Sequence, residues 1–130
     1  MKNRDIYIGA LNLIAQSGNA ESNEDYEERA PYLIAAFCSE VRDMDREYRK
    51  AHGLSAGKDF NDVFLELDGD FPACHRFSAP ACLYLAAMLI IDEDGALSDK
   101  FYEKYCDSIS SVYSEIPAQI DSIRNIYSGY

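Results

Sequence analysis

The sequence has little positive charge. It contains 12 lysine and arginine residues against 23 aspartate and glutamate residues, which gives a formal net charge of −11 at pH 7. A chain this acidic repels nucleic-acid phosphates and anionic lipids at long range. The balance argues against wrapping DNA and against direct sequence-specific nucleic-acid binding. Contact with a basic protein partner stays open, and so does lining a channel through which DNA passes without sticking.

The chain is also poor in proline, glycine and long apolar stretches. Four prolines and seven glycines in 130 residues argue against a disordered or collagen-like chain, and this length predicts one helical domain over residues 1–130. The uncharged stretch from Ala79 to Ile91 has 13 residues, whereas a membrane span needs about 20. The first residues, MKNRDIYIG, lack the apolar region of a signal peptide. We therefore expect neither a leader nor membrane association.

Histidine is scarce, and the common catalytic motifs are absent. His52 and His75 lack the neighbours of a catalytic triad, and no nucleophile elbow, phosphate-binding loop or dinucleotide fingerprint occurs. Three of the four cysteines fall among apolar residues of predicted helices, which favours reduced thiols in a cytosolic protein. The four are Cys38, Cys74, Cys82 and Cys106. We expect a protein that is not an enzyme and uses no cofactor.

Two short patterns match metal sites only in part. Residues 92–103 have the length of an EF-hand loop, but Ala96 replaces one ligand and Leu97 replaces the turn glycine. Ser98 is more typical of a helix cap. Cys74, His75 and Cys82 do not have the spacing of a zinc knuckle. We predict no metal site, and an acidic turn between two helices at 92–103.

The predicted fold is organised around one apolar helix at residues 79–92. A helix that is apolar on every face must be covered on every face, so the other segments should wrap it. Helical spacing of apolar residues predicts further helices at 5–16, 99–115 and 118–127, and a long second helix. The resulting class is all-α, with about five helices packed around the central one.

The long second helix carries a seam of apolar residues at alternating spacings of four and three. The seam consists of Ala30, Ile34, Phe37, Val41, Met44 and Tyr48. Pro31 indicates either a start near Ala30 or a kinked first turn, and Gly53 suits the position after the helix end. Charges on most faces after Val41 predict that the second half projects, or packs by one narrow stripe.

Residues 54–76 predict an irregular arm or loop. A short strand or hairpin is expected at 63–67, where Leu65 and Leu67 share one face. A long loop inside a compact domain is often functional, and the arm's phenylalanines need apolar cover that a neighbouring subunit would supply. The candidate interface residues are Met44, Tyr48, Phe60, Phe64 and Phe71.

Several stretches of the chain together resemble small virion structural proteins of phages and prophages of Gram-positive bacteria. They are NEDYEERAPYLIAAF, FP followed by RF-x-x-PA, YLAAMLIIDEDGALSDKFYEKYCD, and IPAQI with IRNIY. The class with the most similar function is the head–tail connector, or head-completion adaptor. That resemblance implies an all-helical, non-enzymatic subunit that forms a ring below the portal around the DNA exit channel. It implies no catalytic residues.

Two functional hypotheses follow. The first is a phage structural subunit that acts by self-association and by docking to portal or tail components, cytoplasmic during assembly and then part of the virion. The second is a small acidic regulatory or inhibitor protein that binds a basic partner, in the manner of a DNA mimic. A fixed high-order mass is typical of the first, and a monomer or dimer with salt-sensitive binding of the second.

Overall fold

The computed structural model describes residues 1–16, 24–58 and 62–117, and this part of the chain is built from helices and irregular segments without a β-strand. The α-helices are α1 (Asn3–Gln16), α2 (Glu24–Ala51), α3 (Ser78–Leu89) and α4 (Gly95–Ser114), and a 3₁₀ turn at His75–Phe77 precedes α3. The predicted all-α class is confirmed. The helix predicted at 118–127 lies outside the described residues.

The central helix α3 packs against α1, α2 and α4, but it is shorter than predicted and is not covered on every face. It ends at Leu89 rather than at residue 92, because Ile90 leaves the helical conformation and its carbonyl accepts hydrogen bonds from the two amides of Glu93 and Asp94. The guanidinium of Arg29 on α2 satisfies two of the last helical carbonyls, those of Met88 and Leu89. Four apolar or aromatic residues of α3 are only half-buried, namely Cys82, Leu83, Tyr84 and Met88.

Helix α2 runs unbroken from Glu24 through Pro31, so the predicted start near Ala30 was wrong. The proline lies early in a helix of 28 residues, where the rest of the hydrogen-bonded ladder holds the segment helical. The predicted seam is confirmed. Its first four members are buried, whereas Met44 and Tyr48 are half-buried, as the narrow stripe predicts. Gly53 has a φ of +67°, which confirms its place just after the helix.

Helix α4 begins four residues earlier than predicted, and its cap is Asp94 rather than Ser98. The Asp94 carboxylate accepts a hydrogen bond from the Leu97 amide at 3.0 Å. Ser98 is instead buried against α3, where its hydroxyl donates to the Ala87 carbonyl at 2.8 Å. The apolar residues whose helical spacing predicted this helix form a stripe that is buried or half-buried. Phe101, Tyr105, Val112 and Ile116 are buried, and Leu97 and Ile109 are half-buried.

The first residues of the chain are hydrogen-bonded to the end of the arm. The amides of Asn3 and Arg4 donate to the carbonyls of Gly69 and Leu67, and the Phe71 amide donates back to the Met1 carbonyl. These bonds satisfy amides at the start of α1 that have no partner within the helix. The arm therefore caps α1 and is held against it.

Candidate protein-interaction surface

One ion pair on α2 fixes both ends of the arm. Asp45 and Arg49 lie one helical turn apart, with Nε and Oδ2 at 3.0 Å and side chains only 12% and 18% exposed. The second carboxylate oxygen of Asp45 accepts from the Cys74 amide at 2.7 Å. The guanidinium of Arg49 also donates to the carbonyls of Ser55 at 2.9 Å and Pro72 at 3.4 Å.

This pair, which we call the arm clamp, was missed by the sequence analysis. The charges after Val41 predicted a second half of α2 that projects or packs by one narrow stripe, and they did not indicate a buried ion pair. A signal was present, because Asp45 lies four residues after Val41 and seven after Cys38, on the buried side of the helix. A carboxylate on that side needs partners for its oxygens, and the arm backbone supplies one.

The middle of the arm touches the N-terminal half of α2. The Leu65 amide donates to the Pro31 carbonyl at 3.1 Å, and Leu67 and Phe71 are buried in the core. The strand predicted at 63–67 was therefore wrong. The backbone there bonds to a helix carbonyl, while the isolated bridge that the structure does contain joins Lys2 and Asp70.

Three large apolar side chains are exposed where the arm lies against α2. Val63 is 79% exposed, Tyr32 55% and Phe64 42%. The rings of Tyr32 and Phe64 meet edge to face, with centroids 5.0 Å apart. A shallow groove of about 230 Å³ runs beside them, between Val63 and the first half of α2. We call Tyr32, Val63 and Phe64 the arm patch.

The five candidate interface residues are not brought together. Phe64 belongs to the arm patch, and Phe60 lies outside the described residues. Phe71 is stacked on Phe37 inside the core, so this chain itself supplies the apolar cover that a neighbouring subunit was expected to give. Met44 and Tyr48 are half-buried against the same core.

Tyr48 belongs to a polar cluster that joins the ends of α2 and α4. Its ring stacks on His52 at 4.2 Å, and the His52 Nε2 lies 2.9 Å from the Glu115 carbonyl oxygen. The Glu115 carboxylate accepts hydrogen bonds from two nitrogens of Arg76, at 3.0 and 3.1 Å. The hydrogen bond from Arg76 lowers the pKa of Glu115. These contacts have the geometry of a joint between elements, with the carboxylate held by an arginine fork.

Several other groups that could carry chemistry are buried or hydrogen-bonded within the fold. Burial raises the pKa of Cys38 to about 12 and that of Cys82 to about 11, so both thiols stay protonated near neutral pH. In the acidic turn, Glu93 accepts a hydrogen bond from the Tyr26 hydroxyl and Asp94 caps α4. Across residues 1–16, 24–58 and 62–117, no three His, Cys, Asp or Glu side chains are grouped to hold a metal ion. The helices in these ranges are also too short or too polar to cross a membrane.

Comparison with protein families, curated proteins and solved structures found no match. The arm patch and the distribution of charge are therefore the observations from which a function can be argued.

Proposed function

We propose that this protein is a non-enzymatic structural subunit of a phage or prophage virion, of the head–tail connector type. It acts by self-association and by docking to portal or tail components, first in the host cytoplasm and then in the virion. Two things support this proposal. The sequence stretches quoted above resemble such proteins, and the arm patch offers an apolar surface for a second copy of the chain.

The arm patch is the observation that carries the proposal. Val63 and Phe64 are exposed on a segment whose backbone is bonded to α2 through Leu65 and the arm clamp, and Tyr32 is exposed beside them on α2 itself. A surface fixed in this way loses little conformational entropy when a partner covers it. Exposed aromatic side chains on a pre-organised surface are typical of protein interfaces.

Net charge decides how such self-association responds to salt. Two copies that each carry a formal charge of −11 repel one another, so the contact must be apolar. The Debye length falls from about 10 Å at 0.1 M salt to about 3 Å at 1 M. We therefore expect added salt to strengthen the assembly.

The alternative is an acidic regulatory or inhibitor protein that binds a basic partner. It is favoured by the exposed acidic residues at the start of α2, which are Glu24, Asp25, Glu27 and Glu28. Binding through such a surface is electrostatic and weakens as salt is added. The sign of the salt response thus separates the two functions.

The test is absolute mass by light scattering behind a sizing column, over a concentration series at 0.05 and 0.5 M NaCl. The variant Val63→Ser/Phe64→Ser removes two of the three side chains of the arm patch. The matched control is Ile8→Ser/Ile91→Ser, which removes two exposed large apolar side chains elsewhere on the surface. We expect a discrete multi-subunit species that is favoured by salt, retained in the control, and weakened at least tenfold in the arm-patch variant.

Two outcomes contradict self-association through the arm patch. One is a monomer at every concentration and salt. The other is an assembly that the arm-patch variant and the control weaken equally. A monomer that binds a lysine-rich peptide at 0.05 M NaCl and releases it at 0.5 M would favour the inhibitor instead.

A further inference from the structure

Between the second half of α2 and the arm lies a cavity of about 340 Å³. Its apolar wall comes from the arm and includes Leu54, Pro72 and Ala73. The arm clamp lines the cavity as well, and its hydrogen bonds to Ser55 and Pro72 hold the wall in place. Hydrogen bonds from the Arg49 side chain to the arm backbone therefore shape the cavity.

Basic side chains are concentrated around this cavity, although the protein as a whole is acidic. Five of the 12 basic residues of the chain line it. They are Arg42, Arg46, Arg49, Lys50 and Lys58. Among the described residues, Asp45 is the one acidic member of the lining, and its oxygens are engaged by Arg49 and by the Cys74 amide. A chain of net charge −11 repels anions at long range, so this concentration of cations is a local exception.

Two of the cations at the rim are held by weak pairs that a ligand can replace. Arg46 meets Asp43 at 3.2 Å and Lys50 meets Glu47 at 3.7 Å, in pairs whose side chains are largely exposed. Exposed pairs of this kind contribute about 0 to 1 kcal/mol. Their rearrangement toward an anion in the cavity therefore costs little.

The lining also limits the kind of anion. Arginine forks match the oxygens of a phosphate, and a phosphate monoester carries a charge of about −1.5 to −2 at neutral pH. The apolar wall suits a carbon body attached to that phosphate. Small-molecule sites have volumes of about 300 to 1,000 Å³, so the cavity fits a compact ligand rather than a protein segment.

We propose that this cavity binds a small organic phosphate, with the phosphate at Arg42, Arg46 and Lys50 and the apolar body against Leu54 and Pro72. The site does not depend on the proposed self-association. Salt acts on the two in opposite directions, because screening weakens anion binding and strengthens contact between like-charged copies.

The first experiment titrates phenyl phosphate into the full chain in a phosphate-free buffer, by calorimetry and by amide chemical shifts. We expect shifts confined to residues 38–58 and 72–74, weaker binding at 0.5 M than at 0.05 M NaCl, and at least threefold weaker binding of inorganic phosphate. Equal affinity for the two phosphates would overturn the role of the apolar wall. No binding of phenyl phosphate at 10 mM, or shifts elsewhere, would overturn the site.

The second experiment uses charge variants. Arg42→Gln/Arg46→Gln removes two exposed cations of the cavity, and Lys100→Gln/Lys104→Gln makes the same change in net charge on α4. We expect at least a tenfold loss of phenyl phosphate affinity in the first and less than a twofold change in the second, with melting temperatures of both close to the parent. An equal loss in both variants would show that only net charge matters. Tighter binding of a tetraglutamate peptide than of phenyl phosphate would assign the cavity to an acidic protein segment instead.

Discussion

Helix α1 approaches α3 closely at Gly9. A Cβ atom at this position would lie 2.6 Å from the Cys82 sulfur, which is well inside contact distance. A glycine in the middle of a helix normally costs about 1 kcal/mol relative to alanine. Here the close approach of the two helices offsets that cost, because the thiol occupies the space that a methyl group would take.

Replacing Gly9 should therefore have opposite effects in two backgrounds. We expect Gly9→Ala to lower the free energy of unfolding of the parent chain by about 1 kcal/mol, since overpacking costs more than helix propensity returns. In a Cys82→Ala background the same change should raise it by about 0.5 to 1 kcal/mol. Urea unfolding of the four proteins of this cycle measures both effects. The same sign in both backgrounds would show that the sulfur is not the obstacle.

The contact between Arg76 and Glu115 makes stability depend on pH, and the sign of that dependence is defined. Arg76 lowers the pKa of Glu115 below its ordinary value of 4.5. The contact therefore contributes stability that is present above pH 4.5 and is lost as the pH falls through the lowered pKa. The parent chain should exceed Glu115→Gln in stability at pH 6, and the difference should shrink toward zero in acid. Melting temperatures from pH 7 to pH 2 check this, and a difference that grows in acid would contradict it.

At the scale of the elements, periodicity predicted the helices well and their ends poorly. The seam of α2 and the stripe of α4 follow from spacing alone, because burial repeats with the helical period. The cap of α4 was misassigned because Asp94 and Ser98 are both good capping residues, and only the packing of Ser98 against the Ala87 carbonyl separates them. The end of α3 depends on Arg29, which is distant in the sequence.

The arm could not be predicted for the same reason. Its course is set by contacts between residues far apart in the chain, above all by the arm clamp. Propensity describes local preference and contains no information about such contacts. The sequence did indicate that 54–76 is irregular and that Phe64 is available on its surface, whereas Tyr32 and Val63 became visible as its partners only in the structure.

The arm clamp should contribute measurably to stability. We expect Asp45→Ala to lower the free energy of unfolding by about 2 to 4 kcal/mol, because it leaves a largely buried guanidinium and the Cys74 amide without their acceptor. Asp45→Asn keeps an acceptor for the amide and should lose less. The matched control is Asp43→Ala, which removes an exposed pair and should change stability by about 0.5 kcal/mol or less.

Urea unfolding measures these differences, and hydrogen exchange at the Cys74 amide reports whether the arm is released. Equal losses from Asp45→Ala and Asp43→Ala would contradict the assignment of the clamp.

At the scale of the whole molecule, charge is segregated rather than uniform. The cavity beside the arm gathers five of the basic residues, while the start of α2 and the turn before α4 are acidic. Net charge alone predicted repulsion of anions, and it could not reveal a local basic site. Because the arm supplies Leu54 and Pro72 to the basic cavity and also carries Val63 and Phe64 of the arm patch, a ligand in the cavity would stabilise the segment that carries the patch.

The hydrogen bonds between the first residues and the arm have a consequence for synthesis. Lys2 and Asp70 are 68 residues apart, and a ribosome adds about 5 to 20 residues per second. The first turn of α1 must then wait on the order of 3 to 14 seconds before its partners exist. A helix of 14 residues is marginal by itself in water, so α1 should fold late, together with the arm and not ahead of it. Helix α1 would then be synthesised before the arm but would reach its final structure only together with it.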